Sequence, residues 1–552
     1  MADNLKPHKV HDDLKESAGS NVSQFDVVIA EIGDQDTRVP GQHKKNEIEY
    51  QKDIDRFVKV IQGALSTVSV PQSATIVPTL GPAAWTADDP AQMTNTNNRN
   101  IKQQEYNNLG AEAVTRGVGG MSTHWFQGTQ RPVLFEDSKK DNDEWDVLYK
   151  AAESLIGTST TEFDRSIRHN VVLNALRTAR SLAGREAAPL PLACHRLAEG
   201  SPYVQWHAAD NIYGDLFDNK EKKNKAGQKR GFFALLTNTR VTKYHLHTES
   251  TDGHQVIGLV EVMDLLEDRL SPVEAGTVNF SINAKVYVTA AGAVATPQIL
   301  ANSGFGGMRE SEEGRVKRPI PVLVKDIDNF DGKPEWWVKA VKDHKSDHPN
   351  DPLPIYGEVG PKVDPRLVVD LRFFGRQKGS PENRLVFENF TDAYGMPQPT
   401  FEYIPTSEGA GESQAMMNDM TNVANELGAY LPGSEPQFMT IGSPSGRDNS
   451  GDIKTTVANF NSQVWNFTNL FVAGNGTIPT GFGANPTLTS MCLAFRSVYK
   501  IHKLLESGGD FPAAKADDPL DVTPPEFLSW TQDPNDPNFP NHHLLRQLHK
   551  SV

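Results

Sequence analysis

The chain is nearly without cysteine: Cys194 and Cys492 are the only two in 552 residues. Two cysteines define neither a disulfide framework nor a metal-binding cluster. Long apolar runs are missing too, and nothing approaches the roughly 18 consecutive apolar residues of a membrane-spanning helix. There is no excess of positive charge. Lys and Arg number 55 against 70 Asp and Glu, and the net charge of −15 argues against nucleic acid and anionic membranes as partners. Residues 1–24 are polar and lack the apolar centre of a secretory signal, so the reading leans to an intracellular protein. No internal repeat of about 20 to 50 residues is present. What remains is a soluble globular composition, 37% hydrophobic and 23% charged, on a length that calls for two or more joined domains.

The stretch FDVVIAEIGDQD, Phe25 to Asp36, opens the part expected to fold. Its first half reads as the buried parallel strand that begins a dinucleotide-binding unit. Its second half reads as the acidic end of that unit's second strand, where a carboxylate binds a ribose hydroxyl. The glycine-rich turn and helix that should separate them are absent. Further on, IDRFVKVIQGAL places Ile54, Phe57, Val58, Ile61 and Leu65 on one face of an expected helix. ADDPAQMTNTNNRNIKQQE and DNKEKKNKAGQKR read as surface loops. AKVYVTAAG, Ala284 to Gly292, suits a strand buried on both faces that runs into a tight turn. Asp326 to Pro354 looks like an exposed insertion, PRLVVDLRFF returns to strand character, and the last 35 residues form a polar tail.

Four motifs can carry chemistry. In GAVATPQILANSGFG, Ala291 and Gly292 permit close backbone approach, and Thr296 and Pro297 look like a helix cap and first helical residue. A well-capped strand-to-helix turn explains that pattern equally well. In ANPTLTSMCLAF, Asn485 can cap the final helix, with Pro486 first inside it and Leu488, Cys492 and Phe495 inward. In TRGVGGMSTHW a glycine turn at Gly119 and Gly120 precedes His124, and a lone histidine beside a tryptophan is ordinarily a packed core residue. The fourth stretch, NLFVAGNGTIPTGFG, holds Gly474 and Asn475.

Together these blocks resemble the glucose–methanol–choline oxidoreductases, and within them the pyranose 2-oxidases. GAVATPQILANSGFG is similar to the second signature of the larger family, with Phe305 departing from its aliphatic preference. MSTHW, the NLFVAG segment, DAYGMPQPTFEY and LPGSEPQF carry the narrower likeness across most of residues 25–505. The resemblance implies an α/β, FAD-binding Rossmann-like fold with a smaller α+β substrate domain. Its expected boundaries are a polar extension over 1–24, FAD-binding parts over 25–306 and 435–510, a substrate domain over 307–434 and a tail over 511–552. It implies oxidation of aldopyranoses such as glucose at carbon 2, with oxygen reduced to hydrogen peroxide or a quinone as acceptor. It also implies a homotetramer held partly by an arm near residues 43–75. By position, it implies FAD contacts at Glu31, Gly119, Gly120, Leu236, Asn238, Ala291, Gly292, Gly474 and Asn475. A covalent flavin bond is implied at His124, a catalytic role at Asn485 and a substrate-loop role at Arg372.

The chain departs from that pattern in four places. The nucleotide-binding glycine turn is missing, residues after Trp125 are lost, and the loop before Tyr356 is shortened. The fourth loss removes the family's catalytic histidine, since no histidine lies between His348 and His502. Asp448 and Asp452 lie near that gap, in a Gly/Ser stretch where aspartates are usually solvated turn formers. The alternative expectation is therefore a catalytically impaired homologue, or a truncated splice or gene-model form.

Overall fold

The computed structural model describes residues 25–31, 65–71, 99–104, 107–109, 113–115, 119–123, 139–197, 203–207, 233–236, 239–247, 254–264, 279–306, 322–323, 339–344, 363–371, 373–374, 383–392, 395–404, 407–428, 445–446, 457–478, 485–508 and 511–514. Its principal elements begin, in chain order, with β1 (Phe25–Glu31), β2 (Leu65–Thr67), β3 (Ala113–Thr115), α1 (Lys139–Ile156), α2 (Ile167–Thr178), β4 (Leu192–Arg196) and β5 (Val204–Trp206). They continue with β6 (Thr239–Leu246), β7 (Ile257–Asp264), β8 (Asn279–Ile282), β9 (Ala284–Ala290) and α3 (Gly292–Asn302). The C-terminal set is β10 (Lys339–His344), β11 (Val363–Asp370), β12 (Arg384–Thr391), β13 (Pro397–Glu402), α4 (Ser407–Leu427), β14 (Leu470–Val472) and α5 (Thr487–Glu506).

A parallel sheet of order β1-β9-β14 organises the site. Phe25 pairs with Ala284 and Glu31 with Ala290, so β1 and β9 end level with each other. Tyr287 pairs with Leu470 and Thr289 with Val472, which brings the end of β14 to the same edge. Strand side chains alternate between faces, and β9 uses both. Tyr287 joins Ala295, Ile299 and Leu300 of α3 in one apolar cluster. Val286 and Val288 join Phe471, Ile501 and Leu504, the last two from α5. A helix on each face of a parallel sheet is the doubly wound arrangement, which explains why β9 is buried from Val286 to Thr289 on both faces.

The antiparallel sheet β6-β7-β8 is tied to the parallel one by a buried amide. Asn469 Oδ1 accepts from Ile257 N at 2.9 Å, while its Nδ2 donates to Ile257 O at 2.9 Å and Lys285 O at 3.1 Å. A further layer, containing the antiparallel pair β12 and β13, leans on the other side of α3. There Val294 and Ala301 meet Leu385, Phe387, Phe401 and Tyr403. Helix α4 covers α2, with Val423 against Val172, Leu173 and Leu176. The Arg185 guanidinium spans the same contact to Asp419 at 2.5 and 2.8 Å.

Several expectations are corrected. Ala30 and Glu31 continue β1 as a single strand, so AE does not end a separate second strand. Leu65 belongs to β2, paired with Thr115, and not to a helix; residues 54–64 lie outside the described set. Helix α3 opens at Gly292, so Thr296 and Pro297 stand inside it. The first turn, Gly-Ala-Val-Ala, needs no intrahelical donors' partners, whereas Pro297 forgoes one ladder bond. Burial of Ile299 and Leu300, roughly 1.5–3 kcal/mol each, offsets that loss. In α5 the cap position is Pro486, which leaves Asn485 one residue further out, although Leu488 and Cys492 are inward as expected.

Two supposed surface segments also contribute structure. Lys339–His344, within the expected insertion, is strand β10 paired with β11. Asn100 and Gln103, in the expected loop, are buried because they satisfy an interior backbone. Asn100 Nδ2 donates to Pro399 O at 3.1 Å and Thr400 Oγ1 at 2.7 Å. Gln103 Oε1 accepts from Phe401 N at 2.8 Å, and its Nε2 donates to Phe401 O at 3.0 Å. The DNKEKKNKAGQKR loop and the last 35 residues lie outside the described residues, whereas Phe511, at the start of the expected tail, packs on the cluster of Val286, Val288 and Phe471.

Candidate functional site

Ligands of open α/β sheets sit beyond the carboxyl ends of the strands, because loops diverge there and helix N-termini point into the gap. At this edge the structure brings together Glu31, Ala291, Gly292, Gly474 and Asn475. Glu31 is the last residue of β1, opposite Ala290. Ala291 is buried and leads into Gly292, whose φ of 81° opens α3. A left-handed residue there lets the chain turn at once from strand to helix. Gly474, at φ 97°, does the same after β14, and a β-carbon added to it would meet no atom within 4 Å. A ligand can therefore approach that backbone closely.

Asn475 begins a 3-10 turn, Asn475–Thr477, that packs against both α3 and α5. Thr477 Oγ1 donates to Gly474 O at 2.7 Å and holds the turn closed. Ser490, in the first turn of α5, donates to Asn475 Oδ1 at 2.5 Å. Its neighbour Thr489 is buried and hydrogen-bonds the Tyr149 hydroxyl of α1 at 2.8 Å. Neither Ser490 nor Asn469 was marked by sequence reasoning. Ser490 sits inside a helix and Asn469 in the bend before β14, where a polar side chain has no motif of its own.

Leu236 is half-buried against the apolar cluster that includes Ala291. Gly119 and Gly120 have φ values of 83° and 52°, as a glycine turn requires, and lead into a 3-10 turn over Gly120–Thr123. This segment follows β3, whose Val114 packs on Val294 of α3. Asn485 is half-buried just ahead of α5. His124, Asn238 and Arg372 lie outside the described residues, as do Asp448 and Asp452. Leu371 and Phe373, which flank Arg372, pack on the α2–α4 cluster.

The chemistry of this edge suits a dinucleotide. It offers two left-handed glycines for close approach and the N–H groups at the start of α3 for negative charge. These residues fit FAD. The glycine turn expected after β1 is not found in the sequence, where IGDQDTRVPGQ follows Glu31 without the G-x-G-x-x-G spacing, and those residues lie outside the described set. The described cysteines offer no alternative chemistry: burial pushes the Cys194 thiol up to about 12, with the Glu162 charge adding to the shift. Among the described residues no group of three metal-ligating side chains converges. No described helix is long and apolar enough to cross a membrane.

The parallel sheet with its flanking helices is the FAD-binding fold of the glucose–methanol–choline oxidoreductases, and residues 235–326 match the family model described as GMC oxidoreductase. The chain is 45% identical to the pyranose 2-oxidase of Lyophyllum shimeji over 88% of its own length and 87% of that protein. It is 38% identical to the pyranose 2-oxidase of Tricholoma matsutake, covering 86% of this chain and 89% of the relative. For the pyranose 2-oxidase of Emericella nidulans the identity is 34%, over 90% of each chain. The chain belongs to the pyranose 2-oxidase family, and is an oxidoreductase by that membership.

Proposed function

We propose that this protein oxidises an aldopyranose, glucose foremost, at carbon 2, using FAD and passing the electrons to oxygen or a quinone. The observation that carries this reading is the 45% identity to a pyranose 2-oxidase across 88% of the chain. The assembled carboxyl edge supports it. Bound FAD would supply the two-electron acceptor for the sugar carbon. Glu31, Ala291, Gly292, Gly474 and Asn475 would hold it, Leu236 and Asn238 would lie toward its adenine, and Gly119 and Gly120 would shape the approach to His124. His124 is the proposed point of covalent attachment.

Asn485, half-buried ahead of α5, would orient a sugar hydroxyl through its amide, and Arg372 is assigned to the substrate loop. The amide has no useful basicity, so the hydroxyl proton must pass to another acceptor. With no histidine between His348 and His502, Asp448 and Asp452 are the first groups to examine. The subunits associate as a homotetramer, and residues 307–434 form the substrate domain.

The extent of the match counts against a non-catalytic homologue, and one experiment separates the two. Purified protein is precipitated with acid, and its pellet and supernatant are examined for flavin absorbance. Flavin retained in the pellet supports the covalent cofactor. A folded, colourless protein contradicts the reading.

A further inference from the structure

We propose that the Asn475–Gly476 step is a site of spontaneous deamidation, restrained by its own turn, whose product weakens the cofactor edge. It is the only Asn-Gly pair in the chain. An asparagine amide is open to attack by the backbone nitrogen of the next residue, and glycine, with no β-carbon, leaves that nitrogen least hindered. The Gly476 nitrogen forms a bond to Asn475 Cγ and loses its proton to solvent. The Cγ–Nδ2 bond breaks and ammonia leaves. Water then opens the cyclic imide at either carbonyl, which gives an aspartyl or isoaspartyl residue at position 475. Both residues are half-buried, so water reaches the step.

The turn sets the rate. Ring closure needs a rotation about the Cα–C bond of Asn475 that takes it out of the helical region. Here Asn475–Thr477 is a 3-10 turn. Thr477 N donates to Gly474 O and Ile478 N to Asn475 O, each at 3.1 Å, and the rotation breaks both bonds. Thr477 Oγ1 adds a second bond to Gly474 O at 2.7 Å. Ser490 Oγ, from the first turn of α5, donates to Asn475 Oδ1 at 2.5 Å and so ties the group under attack to the helix. Its neighbour Thr489 bonds the buried Tyr149 hydroxyl at 2.8 Å, which fixes that part of α5 on α1. Deamidation therefore proceeds through local opening of the turn, in proportion to the open population.

The product is a carboxylate where there was a neutral amide, and the isoaspartyl form also lengthens the main chain by a methylene. A negative charge at the end of β14, beside Gly474, repels the diphosphate of FAD. That consequence rests on the cofactor reading above; the modification site does not.

The test holds full-length apoprotein from riboflavin-starved cells in mildly alkaline buffer below its melting transition. Peptide mapping by mass spectrometry follows the amide-to-acid mass gain at position 475, and an isoaspartyl methyltransferase assay identifies the isoaspartyl product. The synthetic peptide AGNGTIP is the unstructured reference. Wild type should convert at position 475 more slowly than the peptide. Ser490→Ala should convert about three- to tenfold faster than wild type, the extra opening allowed by the loss of one net hydrogen bond. Ser490→Thr, which keeps the donor, should return to the wild-type rate, and Gly476→Ala should suppress conversion. Saturating FAD should slow the reaction by holding the turn closed, and converted protein should bind FAD about tenfold more weakly through like-charge repulsion.

Wild type and Ser490→Ala both unconverted when the peptide is fully converted overturns the proposal. Equal rates in protein and peptide, or in Ser490→Ala and wild type, overturn it as well. An acceleration in Ser490→Ala shared by asparagines elsewhere in the chain is global unfolding and counts against it. Conversion in the expected order that ignores FAD and leaves FAD affinity unchanged refutes the effect on the cofactor edge and upholds the site. Wild-type apoprotein that binds no FAD overturns the cofactor reading, while the rates at position 475 still decide the site.

Discussion

Replacing Asn469 by alanine tests the join that sets β9 and β14 side by side. The side chain is 4% exposed and serves three backbone groups at once: Ile257 N–H, Ile257 carbonyl and Lys285 carbonyl. Truncation leaves all three facing a cavity too apolar to rehydrate them. An unsatisfied buried group costs about 1–3 kcal/mol, with N–H groups at the upper end and carbonyls lower, so the total is about 3–5 kcal/mol. That is a large share of a typical stability of roughly 5–15 kcal/mol. At about 2–4 °C per kcal/mol for a large cooperative unit, the melting temperature should fall by on the order of 10 °C. Differential scanning fluorimetry measures the fall, and hydrogen exchange at the Ile257 amide locates it. A shift below about 2 °C with unchanged protection of Ile257 would refute the reasoning.

Three further outcomes follow from the same physics. Glu426 accepts from the backbone N–H of Ser181 at 2.6 Å and of Arg180 at 2.7 Å, and the Ser181 bond is the main reason its carboxyl is held below the ordinary value. A depressed folded-state pKa contributes stability above the unfolded value and loses it as pH falls through the folded one. The melting gap between wild type and Glu426→Gln should therefore be open at neutral pH and close on acidification; a gap independent of pH contradicts this. Gly157 has φ 62° and its missing β-carbon faces the buried His207 ring, whereas Gly184 has φ 84° with open space around it. Gly157→Ala should cost about 2–4 kcal/mol and Gly184→Ala only about 1 kcal/mol, and equal losses in chemical denaturation would show that backbone strain alone decides. Non-covalent FAD affinity should be lower by at least about 100-fold than in a flavoprotein that keeps the glycine turn after its first strand, because such a turn supplies two or three charge-assisted contacts of roughly 1.5–3 kcal/mol each. Submicromolar affinity without covalent attachment would refute that.

Strand β9 was legible because AKVYVTAAG carries an apolar run and the glycine turn that ends it in the same few residues. Helix starts were less legible. Thr296 and Pro297 form a plausible cap in isolation, but Gly292 can already turn the chain at φ 81°, and the helix begins there. Asn100, Gln103 and Asn469 were read as loop or unmarked residues because polarity alone does not reveal a partner hundreds of residues away. Asn100, for example, bonds Thr400. Gly292 and Gly474 were legible as turns, because a chain that leaves a strand abruptly needs a positive φ there, 81° and 97° in this structure. The Ser490–Asn475 bond was not, since it depends on α5 returning to the end of β14.

The most direct test is to add glucose anaerobically to the purified full-length protein, follow the oxidised flavin band by stopped-flow, and identify the sugar product. The expected result is bleaching with formation of the 2-keto sugar. With no histidine between His348 and His502, it should be slower than in an enzyme that keeps a histidine base by roughly the 10²–10⁴-fold that a positioned base contributes. A flavin-loaded protein left unbleached by glucose and other aldopyranoses, or a product oxidised at a different carbon, would contradict the assignment.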